Sequence, residues 1–280
     1  MILKKILLFF LLVPAMLTVT GQTFTVLTYN IRYDNPGDGQ NTWALRKVWL
    51  CEQIKTINPG VFGIQEGLAR QVNFLDSALS DYKHIGVGRD DGKTKGEFSA
   101  IYYHAKKFRV IRQTTFWLSP TPRKVSVGWD AALERICTCG LFQEIATGRK
   151  FWVFNTHFDH VGVVARKNSA ALILQKIKSM TRPGDPVILM GDFNSDPGSE
   201  AYTTITGLLL DSKTADKRMT MGPDGTFNGF DPAKPATERI DFIFTSKKNI
   251  DVLNYNTLRE SRDGRYASDH YPVFAEIKIR

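Results

Sequence analysis

Acids, amides and imidazoles stand where apolar runs stop. Asn30 closes the alternating run Phe24 to Tyr29, and Glu66 follows Val61 to Gln65. His157 and Asp159 close the run that begins at Phe151, and Asp192 and Asn194 follow Pro186 to Met190. Asp241 opens the run ending at Thr245, and Asp269-His270 precedes Pro272 to Ile279. A carboxylate at the end of a buried strand needs a partner, a hydrogen bond or a metal. Each residue alone has an ordinary explanation: Asn30 caps a turn, Asp192 caps a helix, His270 is a satisfied core imidazole. All six strand ends together fit one crevice at one edge of the sheets. Carboxylates and amides suit a hard cation such as Mg²⁺, Mn²⁺ or Ca²⁺ rather than a thiolate-bound metal. The two histidines remain for proton transfer or phosphate contact. Hydrolysis of a phosphate ester needs a metal to neutralise developing charge, a group to activate or orient water, and help for the leaving oxygen. This set supplies all three.

The elements that must position these residues alternate between strand and helix. Strands are expected over Phe24–Tyr29, Val61–Gln65, His84–Gly88, Phe98–His104, Phe108–Trp117, Arg135–Glu144, Phe151–His157, Pro186–Met190, Ile240–Thr245, Ile250–Tyr255 and Pro272–Ile279. Helical periodicity runs over Trp43–Ile57, stopped by Asn58-Pro59-Gly60, and over Leu68–Leu79 and Val164–Met180. Thr147-Gly148 marks a hairpin. Ser212 to Lys234, polar and rich in Gly and Pro, is expected to be a surface excursion. No linker or internal repeat divides the chain, so sheets covered by helices in one domain are expected.

The chain has 280 residues, 42% hydrophobic and 23% charged, which excludes disordered, collagen-like and coiled-coil classes. Lys4 and Lys5 precede the apolar run Ile6 to Leu17, and Val19-Thr20-Gly21 supplies small residues before Gln22. That order is a secretory signal over residues 1–21, leaving a domain over 22–280. The alternatives are an uncleaved anchor or a buried first helix, but the run falls short of the roughly 20 residues of a spanning helix. Export to the periplasm or beyond is expected, with no membrane anchor after cleavage, as a monomer. Cleavage would remove two lysines and no acid, taking the net charge from +9 to +7. Three cysteines exclude a disulfide scaffold. Cys137 and Cys139, two apart on a strand, face one way: either a redox or metal pair or, as favoured here, small buried residues.

The stretches Thr28-Tyr29-Asn30-Ile31-Arg32, Ile64-Gln65-Glu66, Asn155-Thr156-His157-Phe158-Asp159, Gly191-Asp192-Phe193-Asn194, Arg239-Ile240-Asp241-Phe242-Ile243 and Ser268-Asp269-His270-Tyr271-Pro272-Val273 occur in that order. Together they resemble the endonuclease/exonuclease/phosphatase superfamily from about Phe24 to the C-terminus. The resemblance implies a four-layer α/β sandwich of two packed mixed β-sheets flanked by helices, and an Mg²⁺-dependent phosphoesterase, with Mn²⁺ as the other candidate. It implies Glu66 as principal metal ligand, with Asn30 beside it and Asp269 near. It gives Asp192 the water and Asn194 a phosphate oxygen. It pairs Asp241 with His270, which contacts phosphate or acts as base; the base is left open between Asp192 and His270. His157 would face the phosphate, and Glu97 resembles the carboxylate that orients it.

The substrate is less legible. Phe116-Trp117-Leu118-Ser119, then Gly128-Trp129-Asp130 and Arg135, resemble a bacterial subgroup of the superfamily. Trp129 is a candidate wall for a sugar or base, and Trp117 a weaker one that packing would also explain. Arg135 either forks onto a phosphate or forms a structural ion pair. Thr237-Glu238-Arg239-Ile240-Asp241 lacks the Trp-Cys of inositol polyphosphate phosphatases. No basic stripe with interleaved aromatics favours nucleic acid as partner, so an extracellular nuclease ranks second and a noncatalytic binding relative third. The favoured substrate is a small or carbohydrate-linked phosphate ester, with a diester included.

Overall fold

The computed structural model describes residues 23–215 and 222–280. The expected signal over 1–21 lies outside them. No helix among the described residues is long and apolar enough to cross a membrane. The first half comprises β1 (Thr23–Asn30), α1 (Trp43–Ile57), β2 (Val61–Gln65), α2 (Ala69–Ala78), β3 (Tyr82–Ile85), β4 (Ile101–His104), β5 (Phe108–Trp117) and β6 (Ile136–Glu144). Then come β7 (Lys150–His157), α3 (Val163–Met180), β8 (Val187–Asp192), α4 (Glu200–Leu208), β9 (Leu209–Asp211), α5 (Ser212–Ala215), β10 (Asp241–Ser246), β11 (Ile250–Thr257) and β12 (Val273–Ile279).

Two six-stranded sheets result, in the orders β11-β12-β1-β2-β4-β3 and β5-β6-β7-β8-β10-β9. Each sheet has one parallel pair, β1/β2 or β7/β8, and each pair is joined by its crossover helix, α1 or α3. All other pairings are antiparallel. Three apolar layers separate four structural ones. Leu50 and Ile54 of α1 and Val72 and Leu75 of α2 cover Leu27, Tyr29, Phe62 and Ile64. Ile173 and Ile177 of α3 and Ile205 of α4 cover Phe154, Leu189, Phe242 and Phe244. Val26, Val61, Val153, Ile188, Met190, Ile243 and Val273 fill the space between the sheets. The molecule is an α/β sandwich of two mixed sheets flanked by helices.

Strand alternation decides what faces what. On β8, Ile188 and Met190 point between the sheets while Val187 and Leu189 point to α3. Continuing the count puts Asp192 on the inner face. The same count puts Asn30, Gln65, Asn155, His157 and Asp241 there. Strands β1, β2, β7 and β8 end at this edge, and β10 begins at it, with Asp241 paired to Asp192. The inter-sheet layer is therefore apolar along most of its length and polar at one end.

Just beneath that end, Asn155 bolts the sheets together. Its Nδ2 donates to the carbonyls of Ile64 and Ala100, each at 2.9 Å, and its Oδ1 accepts from Gln65 Nε2 at 2.7 Å. The facing position on β2 is Gly63, where a Cβ would come within 2.5 Å of Asn155 Oδ1. Only glycine leaves room for the amide.

Some expected boundaries move. The strand expected over His84–Gly88 lies at Tyr82–Ile85, and that over Phe98–His104 shortens to Ile101–His104. Phe98 instead bridges singly to Gly67 and Gly88, because the intervening loop folds back on itself. Helix α4 has no counterpart in the sequence reading, although Ser199 caps it through the Tyr202 N–H. Replacing Asn155 by Ala should lower unfolding free energy by about 1–3 kcal/mol, the usual cost of leaving buried polar groups unpaired. Urea titration reads this; no measurable loss would contradict the bolt.

Candidate active site

At the polar edge Asn30 sits between two carboxylates. Its Nδ2 donates to Glu66 Oε1 at 3.0 Å and to Asp192 Oδ2 at 2.9 Å. Its Oδ1 accepts the Arg32 N–H at 3.0 Å, so it is the Nδ2 side of the amide that faces the two carboxylates. The Arg32 guanidinium lies 4.0 Å from Glu66 and 3.7 Å from Asp269. Three residues of the pocket hold left-handed backbone: Arg32 (φ 55°), Glu66 (φ 63°) and Asn194 (φ 44°). Such angles cost free energy in residues with a Cβ and cluster where geometry serves function. Next to Asn194, Gly191 has φ 149°, and a Cβ there would lie 2.1 Å from the Thr156 carbonyl. Glycine is needed for the β8 terminus to lie against β7.

The two imidazoles have opposite settings. His270 Nδ1 bonds Asp241 Oδ2 at 2.8 Å, and its Nε2 stands 3.7 Å from Asp192. Burial alone would lower its pKa, but the Asp241 and Asp192 carboxylates raise it well above the usual histidine range. His157 is buried beside Arg135 and Arg89, and burial first, then those cations, hold its pKa well below that range. Its Nε2 lies 3.1 Å from Asn194 Nδ2, which suits a neutral ring accepting from the amide. Its Nδ1 has no hydrogen-bond partner and stands 3.8 Å from Glu97 Oε2. Glu97 instead takes a 2.6 Å bond from Arg89, so in this structure the acid expected to orient His157 is held by an arginine. Burial, with the Asp241 charge nearby, pushes the Asp192 carboxyl up to about 7. Burial, reinforced by Glu66, also raises Asp269 and Glu97.

These groups line one cavity of about 520 Å³. It holds Glu66, Glu97, His157, Asp192, Asn194, Asp269, His270 and Arg135; Asn30 and Asp241 lie behind it, bonded to its walls. Arg135 forms the structural ion pair, one of the two alternatives left open for it. Its Nε pairs with Asp159 at 3.2 Å and its Nη2 with His160 Nδ1 at 2.9 Å, while its buried Nη1 has no partner. Against the cost of burial, the N–H groups of Gly162, Ala132 and Val161 and the Arg135 charge hold Asp159 down to about 2. Asp159 thus anchors the arginine.

Trp129 is not in this cavity. It lines a neighbouring groove, because Asp130 is drawn to the start of α3 by the N–H groups of Val164 and Ala165. Trp117 is buried, with its indole N–H on the Arg89 carbonyl, so it packs and supports the loop carrying Arg89. Cys137 and Cys139 are free, buried thiols in the layer under α3, and burial raises the pKa of both.

Several site residues escaped the sequence reading. The stretch expected as a surface excursion sends Thr226 and Phe227 into the site. Phe227 bridges to His270 with ring centroids 5.0 Å apart, and Thr226 Oγ1 accepts the N–H groups of Ile240 and Asp241. The excursion is real only over its exposed part, and residues 216–221 lie outside the described ones. Arg46, on α1, donates to the carbonyls of Ile31, Arg32 and Ala267 and so fixes both chain segments that bear the acids. A lone arginine inside a helical apolar pattern was its only signal.

Glu66, His157 and Asp192 offer ligand atoms all within 4.8 Å of one another, as do Asp192, Asp241 and His270. In the second set Asp241 Oδ2 is already taken by His270 Nδ1. The first is oxygen-rich, with Asp269 alongside and one guanidinium offsetting the charge, and its donors fit a hard divalent cation.

A family model described as Endonuclease/Exonuclease/phosphatase family matches residues 27–270. A protein of that family from Bacteroides thetaiotaomicron is 39% identical, with a TM-score of 0.87, covering 93% of this chain and 99% of its own. A mannosyl-6-phosphatase from the same organism is 40% identical, with a TM-score of 0.86, covering 91% of this chain and 99% of its own. Among curated proteins, nocturnin of Rattus norvegicus is 23% identical over 88% of this chain and 62% of its own length. The chain spans between 34 and 70% of the length of these curated relatives.

In metal-free protein, nitrogen-detected NMR at pH 7 should show His270 doubly protonated and His157 neutral. His270, raised above its unfolded value of about 6.5, stabilises the fold fully below that pH and loses its contribution as pH rises through the folded value. Asp241→Asn should lower the folded value and shrink that dependence. A neutral His270 at pH 7 would contradict the assignment.

Proposed function

The chain belongs to the endonuclease/exonuclease/phosphatase family, whose members hydrolyse phosphate esters, and from that premise we propose that it is an exported, Mg²⁺-dependent phosphoesterase acting on a carbohydrate-linked phosphate ester. The observation that carries the chemistry is the convergence of Glu66, Asp192 and His157 in one cavity, backed by the Asp241–His270 pair. The carbohydrate assignment draws on the likeness to the mannosyl-6-phosphatase at 40% identity.

Glu66 and Asp269 would hold the cation, with Asn30 beside them. When bound, it would neutralise charge on the phosphoryl oxygens and on the leaving oxygen. Asp192 accepts the Asn194 N–H on Oδ1, at 2.9 Å, and the Asn30 amide on Oδ2, which fixes its carboxylate plane. It is the group placed to take the proton of the attacking water. Asp241 holds His270 Nδ1, so His270 presents Nε2–H to a phosphate oxygen rather than acting as base. The Asn194 amide and His157, bonded to each other at 3.1 Å, line the same cavity and would come to face the phosphate once that bond is exchanged for one to it. Arg135, with Nη1 unpartnered and the rest of its guanidinium anchored, adds a fixed positive charge to the anion's pocket. Water attacks phosphorus, the ester P–O bond breaks, and the sugar oxygen leaves to be protonated.

Purified protein should hydrolyse mannose 6-phosphate or a related sugar phosphate with Mg²⁺, and lose this with chelator. Glu66→Ala should abolish metal-dependent turnover without unfolding the chain. His270→Ala should cost on the order of 10² to 10⁴ in kcat. The panel should include a chromogenic diester, DNA, RNA and sphingomyelin. Turnover of nucleic acid alone, falling steeply with salt, would replace the carbohydrate assignment by a nuclease.

A further inference from the structure

A second cavity, of about 780 Å³, opens beside the catalytic one. Its floor is one face of α3, carrying Asn168, Ala171 and Gln175, and Trp129 stands at its wall. The segment from Trp129 to Arg135 is shared: Trp129 lines this groove, while Leu133 and Arg135 line the catalytic pocket. Four residues of chain bring the Cα atoms of Trp129 and Leu133 within about 14 Å at most. The two cavities thus flank one short stretch of chain.

Trp129 is held with care. Its φ of 52° is left-handed, an uncommon angle for a bulky residue. On one side Gly128 lies so close to the Leu118 carbonyl that a Cβ would approach it within 2.0 Å. On the other, Asp130 caps α3 through the N–H groups of Val164 and Ala165. Between these anchors the indole remains 38% exposed. The Ala131 N–H closes back on the Gly128 carbonyl at 2.9 Å, so the angle belongs to a tight turn that leaves the indole at the groove wall.

We propose that the groove is a glycan subsite that takes the sugar units attached to the phosphorylated one, with a pyranose face on Trp129. The inference rests on the carbohydrate-phosphate reading of the catalytic pocket. The chemistry of the lining favours a neutral polar chain. Among the described residues, the Asn168 and Gln175 amides make no hydrogen bond, so both are free to give and accept bonds with ring hydroxyls. Ser119 is buried, its hydroxyl taken up by Ser126 and the Thr121 N–H, and shapes the groove without facing a ligand. Only Arg123 and Lys176 bring charge, and Lys176 Nζ already sits 5.6 Å over the Phe116 ring. A polyanion would find few contacts here. A largely apolar aromatic wall facing a few placed polar groups is the ordinary composition of a small-ligand site.

The test compares mannose 6-phosphate with mannotriose phosphorylated at the terminal 6-position. The intact protein should favour the trisaccharide in kcat/KM by more than about tenfold, roughly 1.4 kcal/mol. Ala171→Arg, which fills the groove floor from an exposed helical position, should lower that preference ratio at least tenfold, mainly through KM. Gln175→Ala should lower it by a smaller factor, and thermal melting should show both variants folded. Calorimetric titration with unphosphorylated mannotriose should show binding that Ala171→Arg abolishes. A ratio near one in the intact protein, or one that folded variants do not change, would overturn the subsite. If neither sugar phosphate is hydrolysed, the pocket reading fails, and the titration alone decides the groove. Binding of a single-stranded oligonucleotide that Ala171→Arg abolishes, with no binding of mannotriose, would also overturn it.

Discussion

Too much negative charge meets at one edge of this sandwich for the edge to be structural. Glu66, Asp192, Asp241 and Asp269 gather where two sheets end, three of them buried below a tenth of their surface. Burying a carboxylate costs several kcal/mol unless something answers its charge. Here the answers are local. The Asn30 amide stands between Glu66 and Asp192, His270 pairs with Asp241, and the Arg32 guanidinium lies between Glu66 and Asp269. The left-handed backbone at Arg32, Glu66 and Asn194, and the Arg46 bonds to three carbonyls, keep these answers in register. Burial raises the carboxyl pKa of both Asp192 and Asp269. A divalent cation is the simplest completion.

Most of this was legible because strand geometry is periodic. Once Ile188 and Met190 are assigned to one face, Asp192 must follow them, and the same holds for Asn30, His157 and Asp241. Strand ends therefore betrayed the site before any coordinate did. Trp43–Ile57 was readable to the residue, because Asn58-Pro59 stops the helix sharply: Asn58 takes φ 49° and returns its N–H to Ile54. Illegible were contacts made by loops, whose positions depend on distant neighbours. Thr226 and Phe227 look like loop residues and become the floor under Asp241 and His270. Glu97 looks like a partner for His157, yet Arg89, eight residues earlier in the same loop, takes it. Trp129 looked like pocket wall; the pull of α3 on Asp130 moved it next door.

That displacement divides labour on the surface. The catalytic cavity gathers charge. The groove gathers two free amides and an indole, which suit the neutral polar chain proposed for it. The residues from Trp129 to Arg135 join them, with Asp130 and Asp159 anchoring the two ends: one on α3, the other on the guanidinium. On the proposed reading, reactivity and substrate selection rest on different residues and can be altered separately.

The most direct test of the central claim is anomalous diffraction from crystals grown with Mn²⁺. The charge balance described above predicts one strong peak touching the Glu66 carboxylate at the mouth of the cavity, with the Arg32 guanidinium withdrawn from it. An absent peak, or one held by surface acids away from Glu66, would mean that Arg32 and Asn30 already satisfy the acids, and the catalytic account would fail with it.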